Sequence, residues 1–488
     1  MSEYLKLHSH PSGNHKGKHH IIIVGAGIIG CCTAYYIVKH PLFDPEKYHI
    51  SIIESKRVAG GASGKAGGLL ALWAFPSQIV PLSFQLHQEL LDQYNGEAEW
   101  GYRRLTTVAL EGDISHLDAS DNEDAVESET DEDSNQLSFK NAVRHDSDSS
   151  SSLSDKPPKK TSRATRSSNS SSSSTEIHHP KLPHDLNWIT NSLISKCSTL
   201  GGVDTTAQVH PYKFTNFILK KAVEGSKGAL DIIIGKVNKI TYSMETGSAT
   251  GVVYQPTSAK STEDATCVSL LGDQIVLSVG PWTSKILPDC PISGLRAHSI
   301  TVAPFKDQPV SPYAIFTEFK SGPMSYVSPE IYARQDEVYV CGEGDSAVDV
   351  PETSDDVEVV NSKCDELFKQ VGKISPNLRK GHILKKQACY LPVLDVPSSS
   401  GPLIGETNVE NLFLASGHSC WGINNAPGTG KIMSELLLEG VSKSADTSGL
   451  DPSLYFDASV LVSDDEEDED EDEDSVNQPA PETHDNDE

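Results

Sequence analysis

Three glycines and one carboxylate define the first chemistry this chain can perform. In Ile21-Ile-Ile-Val-Gly25-Ala26-Gly27-Ile28-Ile29-Gly30 an apolar strand runs into a glycine turn and then into a helical pattern. Gly25 permits the tight turn, Gly27 lets backbone amides approach phosphate oxygens without a Cβ in the way, and Gly30 lets helix and strand pack closely. The helix N-terminus then faces the negative charge of a pyrophosphate. Glu54, followed by Ser55, closes a second apolar run, His49-Ile-Ser-Ile-Ile-Glu54, 24 residues after Gly30. Its carboxylate accepts hydrogen bonds from an adenosine ribose and repels a 2′-phosphate, so FAD or NAD fits better than NADP.

A second glycine-bounded strand-to-helix unit stands nearly 400 residues later. It comprises Gly401-Pro-Leu-Ile-Gly405, a strand over 411–415, the turn Gly417-His418-Ser-Cys-Trp421-Gly422 and a helix expected from about Gly428 to Leu438. A nicotinamide domain is usually complete within its first ~200 residues, whereas a flavin must be clamped at both ends. FAD is therefore the expected cofactor.

The elements that must position these turns are readable between them. Periodicity predicts a helix over 211–222 and strands over 105–110, 231–237, 251–254 and 274–280, the last ending in Gly280-Pro-Trp282. From 295 to about 342 the pattern turns to alternating strands, clearest at 299–302 and 337–342, which predicts a separate antiparallel sheet. Residues 185–189 look helical.

The formal charge of −29 belongs to the tails and inserts. Ser463 to Glu488 carries 15 acids and no Lys or Arg, and Glu111 to Pro180 carries 15 acids against 7 bases. This acidity argues against nucleic-acid binding. The Ser-rich acidic stretch 112–179 and the tail 457–488 hold too few apolar residues to offset ordering entropy, and are expected to be disordered segments able to recruit protein partners. Ser147, Ser154 and Ser463 sit beside acids, and 156–166 is basic; both read most simply as solvated charge. Nine cysteines without a CxxC pair suggest neither a disulfide framework nor a metal site. With no signal peptide and no apolar run near 18 residues, the chain reads as cytosolic, without direct membrane insertion.

The motifs around Gly25, Glu54, Gly60 to Gly68, Val276 to Trp282, Gly401 and Gly417 resemble the FAD-dependent oxidoreductases of the D-amino-acid oxidase, glycine oxidase and sarcosine oxidase superfamily. Trp73-Ala-Phe-Pro76, Gln208 to Thr215 and Gly417 to Pro427 are most similar to the fungal oxidoreductases called topoisomerase-damage-affected proteins. The resemblance implies an α/β (α+β) fold: a Rossmann-like FAD-binding domain with a discontinuous antiparallel-sheet substrate domain. The first would be assembled from 19–74, 200–290 and 385–445, the second from 75–111, 180–199 and 291–384. It also implies oxidation of the C–N bond of an amine or amino-acid-like small molecule by hydride transfer to flavin.

By the same resemblance, Gly60 to Leu69 would wrap the flavin's ribityl and pyrophosphate, with Ser63, Gly67 and Gly68 near the ring. Val237 would lie against the adenine, Gly280 and Trp282 would end a cofactor-side strand, and Gly417, His418, Gly422 and Ile423 would serve the flavin's pyrimidine edge. Arg334 would clamp a substrate carboxylate; its other reading is a surface arginine on a two-faced sheet. His418 would orient the ring or move a proton, or simply pack. Trp421 would roof the substrate or fill an interface. Lys65 would promote reaction with oxygen or remain a solvated cation, and Arg296 and His298 are further candidates. Cys389 lies one residue out of register with a covalent flavin attachment point. The fungal resemblance leaves a second function open, a flavin-binding regulator of intracellular, endosomal trafficking with little turnover.

Overall fold

The structure, a computed structural model, describes residues 5–120, 182–257, 266–306, 309–397, 399 and 401–460. Two large sheets organise it. At the centre of the first, five parallel strands run in the spatial order Leu230–Tyr242, Tyr48–Glu54, His19–Val24, Gln274–Leu277 and Leu412–Ser416. Antiparallel strands extend both flanks: Ala249–Pro256 and Val268–Leu271 on one side, Leu403–Glu406 on the other. The unbroken isoleucine runs in the sequence are explained by burial on both faces. Ile21, Ile23, Ile50 and Ile52 pack beneath the helices Ile28–Lys39, Pro211–Gly225 and Gly422–Glu439, while Ile22, Val24, Ile53 and Ile275 face the opposite core. Each such side chain removed from water contributes about 1.5–3 kcal/mol.

The second sheet has eight strands, with His382–Leu394 at one edge and Ile194–Gly201 at the other. Between them lie Ile292–Ala303, Val338–Asp345, Glu330–Ala333, Tyr313–Lys320 and Thr106–Asp113, and the short eighth strand Tyr326–Val327 pairs off this path with Tyr313–Lys320. The expected antiparallel sheet is in fact mixed, because Tyr313–Lys320 runs parallel to Thr106–Asp113. Parallel neighbours need a long crossover, and here it threads through the first sheet. One face of the second sheet buries Ile300, Val302, Ile315, Ile331 and Val340 against Leu367 and Val371 of the helix Asn361–Ile374. The other face turns toward the first sheet.

Several expected boundaries move. The helix Val80–Tyr94, assigned from the sequence to the substrate domain, packs Phe84 and Leu90 into the core of the first sheet. His382–Leu394 pairs along its length with Ile292–Ala303, so the second sheet keeps residues 385–394 that had been assigned to the cofactor domain. Leu200 and Gly201 likewise close the strand Ile194–Gly201. Residues 112–120 are ordered structure, with Gly112 and Asp113 paired to Phe319 and Lys320. The helical pattern at 185–189 is a run of turns: Leu186, Trp188 and Ile189 anchor it in the second core, and Trp188 Nε1 donates to Ser311 Oγ at 2.9 Å. The remainder of the expected insert, with Ser147 and Ser154, and of the expected tail, with Ser463, lies outside the described residues. No helix among the described residues is long and apolar enough to cross a membrane.

Candidate functional site

The C-terminal ends of three adjacent parallel strands deliver three turns to one place. His19–Val24 leads to Gly25, Gln274–Leu277 to Gly280, and Leu412–Ser416 to His418, and Gly25, Gly280 and His418 all line a single cavity of about 510 Å³. The two glycine turns from opposite ends of the chain therefore converge. Gly27, Ile28 and Ile29 line it at the start of the first helix, and Ser63 Oγ accepts a hydrogen bond from Ile28 N at 2.9 Å. Glu54 lines it too, accepting from Ala26 N at 3.0 Å and Lys56 N at 3.1 Å; burial raises its carboxyl above the ordinary value, against the lowering effect of these bonds. Ser55, Gly67, Gly68, Leu69, Val237, Trp282, Gly422 and Ile423 complete the expected residues found on the wall.

Three expected contacts lie behind it. Ala26 is buried beneath the turn, Gly30 packs against the Gly25 carbonyl and Ser278, and Gly417, at φ +83°, makes the turn while its α-carbon faces Ile292. Their role is to shape backbone, which is why the motif contains them without their touching the cavity.

The last helix begins at Gly422, six residues earlier than expected, and carries Pro427 inside it. A proline there cannot donate to the carbonyl four residues back. His87 repairs the gap: its Nε2 lies 3.0 Å from the Ile423 carbonyl, and burial pushes its pKa down to about 4, leaving a neutral ring whose Nε2–H donates. His87→Leu should cost about 1–3 kcal/mol in urea unfolding, the penalty of an orphaned buried carbonyl. Because the folded-state pKa is depressed, the stability His87 contributes is present above about pH 6.5 and is lost as pH falls through that value toward 4. The variant should show a shallower loss over that window; an equal slope would refute the assignment.

Of the residues expected to do chemistry, two line the cavity. His418 is buried, shares a 3.0 Å hydrogen bond with Thr429 Oγ1 and is pushed down to about 3 by burial, so it is neutral. Trp421 lies edge-on to Trp73 at 5.4 Å and to Phe75 at 6.0 Å, with its indole N–H unpartnered in the described structure.

Arg334 does not line it. Its guanidinium donates to the Gly67 carbonyl at 3.1 Å, to the Ala66 carbonyl at 2.5 Å and to Glu337 Oε1 at 2.6 Å, and it lies over the Tyr339 ring at 4.9 Å. These bonds latch the second sheet to the loop carrying Gly67, and the guanidinium is not on the cavity wall where a carboxylate clamp was expected. Lys65 Nζ is likewise turned to the Ala388 carbonyl at 3.0 Å, away from the cavity. Arg296 is tied to Asp345 and Glu358, and His298 Nε2 accepts from Val360 N; neither lines the cavity. Cys389 lines it, but burial pushes its thiol up to about 11, leaving little thiolate for covalent chemistry.

Sequence reasoning missed the wall supplied by the second sheet. Phe316, Glu330, Tyr332, Tyr339 and Cys341 all face the cavity. Register pairs Glu330 with Cys341 and Tyr332 with Tyr339, so both pairs fall on the face opposite Ile331 and Val340. The Tyr332 hydroxyl donates to Glu330 Oε2. The alternation Glu330-Ile-Tyr332 and Tyr339-Val-Cys341 was the available signal.

Comparison with known proteins places this architecture. The model of the family described as FAD dependent oxidoreductase matches residues 20–145 and 183–436. TDA3 of Saccharomyces cerevisiae, named as an oxidoreductase without a stated substrate, is 51% identical over 93% of this chain and 98% of its own. A Schizosaccharomyces pombe protein named in the same way, C1F5.03c, is 32% identical over 88% and 97%. Among solved structures, iminodiacetate oxidase from Chelativorans sp. BNC1 superposes with a TM-score of 0.57 at 16% identity, over 88% of this chain and 98% of that one. Glycine oxidase from Geobacillus kaustophilus gives 0.57 at 14%, over 89% and 98%. At such identities the likeness is one of fold.

Proposed function

Because this chain belongs to the FAD dependent oxidoreductase family, we propose that it oxidises the C–N bond of an amine or amino-acid-like substrate. The observation that carries this reading is the cavity itself, bounded on one side by the two glycine turns and on the other by the aromatic and acidic face of the second sheet. FAD supplies a two-electron acceptor for a hydride leaving the carbon beside nitrogen. The chain's own residues do the rest. Gly25, Gly27 and the amides at the start of Ile28–Lys39 would hold the pyrophosphate, Glu54 the adenosine ribose, and the Gly422 and Ile423 amides the opposite end, where a helix N-terminus favours added negative charge. Trp421, Tyr332 and Tyr339 exclude water from the remaining space. Neutral His418 is placed to accept or donate one hydrogen bond without bringing charge. The substrate loses a hydride and one proton, and the imine left behind hydrolyses in water.

The test is anaerobic mixing of the FAD-loaded protein with a panel of primary and secondary amines and of amino acids. Loss of the oxidised-flavin absorption band with at least one of them is expected. Bleaching by none overturns the catalytic reading and favours a binding or regulatory role.

A further inference from the structure

The charged groups lining the cavity are unevenly placed. Lys236 and Lys285 sit on the first-sheet side, two residues beyond Ile234, the strand partner of Glu54, and in the short helix Thr283–Ile286; both are paired with Glu352. On the second-sheet side the charged lining residue is Glu330, among Phe316, Tyr332, Tyr339 and Trp421. Arg334 and Lys65, the cations expected in the site, do not line it and are bonded to backbone carbonyls.

Resting on the reading of the protein as an amine-oxidising flavoprotein, we infer that its substrate is a cationic amine without an α-carboxylate, gripped by the Glu330 carboxylate inside a box of aromatic rings. Among the described residues, a carboxylate brought to this wall meets Glu330 and ring faces but no lining cation, so it would be desolvated without a partner. An ammonium ion meets the reverse: an acidic oxygen, and ring faces whose quadrupole attracts positive charge. Burial raises the Glu330 carboxyl above its ordinary range, offset in part by hydrogen bonds from Tyr332 and Cys341. An ammonium beside it returns it to the charged form, and the same oxygen can take the nitrogen's proton before the hydride leaves. The nitrogen's proton would go to Glu330 and the hydride to bound flavin, which leaves the substrate as the protonated imine.

A matched pair separates this inference from the reading beneath it. The FAD-loaded protein is mixed anaerobically with 2-phenylethylamine and, separately, with L- and D-phenylalanine, which differ from it by the carboxylate. Flavin reduction by the amine should exceed that by either amino acid about 100-fold or more in rate over dissociation constant. Equal or faster bleaching by phenylalanine overturns the inference and leaves amine oxidation standing. If neither compound bleaches the flavin, the catalytic reading is in question, and perturbation of the flavin spectrum decides the inference: binding of the amine but not of phenylalanine supports it, and binding of neither, or of phenylalanine alone, overturns it. E330Q, which keeps the shape and the Tyr332 contact, should weaken amine binding at least about tenfold. Unchanged amine affinity in a variant that still holds FAD would also refute the assignment.

Discussion

Gly30→Ala is expected to yield a protein that retains little FAD and is destabilised by about 3 kcal/mol or more. A Cβ at Gly30 would lie 2.2 Å from the Gly25 carbonyl oxygen and 2.6 Å from Ser278 Oγ. The first of these is backbone, in the turn that connects the strand to the helix, so relief requires the helix Ile28–Lys39 to lift from the sheet. Overpacking of this kind costs about 1–3 kcal/mol where side chains can adjust, and more where backbone must. Gly27→Ala is the informative partner. There the added methyl meets only Ser63 Oγ, at 3.1 Å, a hydroxyl that can rotate. The Gly27 variant should unfold in urea near the parent's midpoint when both are stripped of cofactor, yet bind FAD more weakly. Equal stabilities for the two variants, or undiminished flavin content in Gly30→Ala, would show that the turn tolerates movement the structure does not allow.

Arg334→Ala should cost about 3–5 kcal/mol, the usual consequence of removing one member of a buried ion pair. Arg334 is 7% exposed, and Glu337 would be left with His210 at 3.7 Å, a ring that burial pushes down to about 4 and so leaves neutral. Burial alone would raise the Glu337 carboxyl; the charge of Arg334 and its hydrogen bond hold it below the ordinary value instead. That contribution is present above the unfolded glutamate value near pH 4.3 and is lost as pH falls through the folded one. The stability gap between parent and variant should therefore narrow in acid. Because the lost donors also release the Ala66 and Gly67 carbonyls, flavin affinity should drop with stability. A variant of parental stability whose only defect is a weaker interaction with a carboxylate substrate would restore the clamp role that the geometry denies.

The cofactor side of the cavity was legible in the sequence because its constraints are local. A glycine turn, the helix that follows it and an acid at the end of the next strand are set by backbone sterics within a few dozen residues, so Gly25, Gly27 and Glu54 could be named before any fold was known, while Ser63 came from the family resemblance. The substrate side follows different physics. Which of Glu330, Ile331 and Tyr332 faces the cavity depends on pairing with Val338–Asp345 and on the helix Asn361–Ile374 covering the other face, and a slip of one residue would exchange the two sets. Arg334 shows the limit well. An arginine at the end of a strand has the same neighbours in sequence whether it enters a cavity or reaches around its wall. The single parallel pair in the second sheet was invisible for a related reason, since strand polarity is set by a crossover of some two hundred residues.

The segment between residues 120 and 182 leaves from one strand of the second sheet, Thr106–Asp113, and returns to its immediate antiparallel neighbour, Ile194–Gly201, which is the outermost strand. Both exits thus open on the same rim, on the side away from the long crossover. The two sheets therefore meet through contacts that do not depend on the connection running between these two strands.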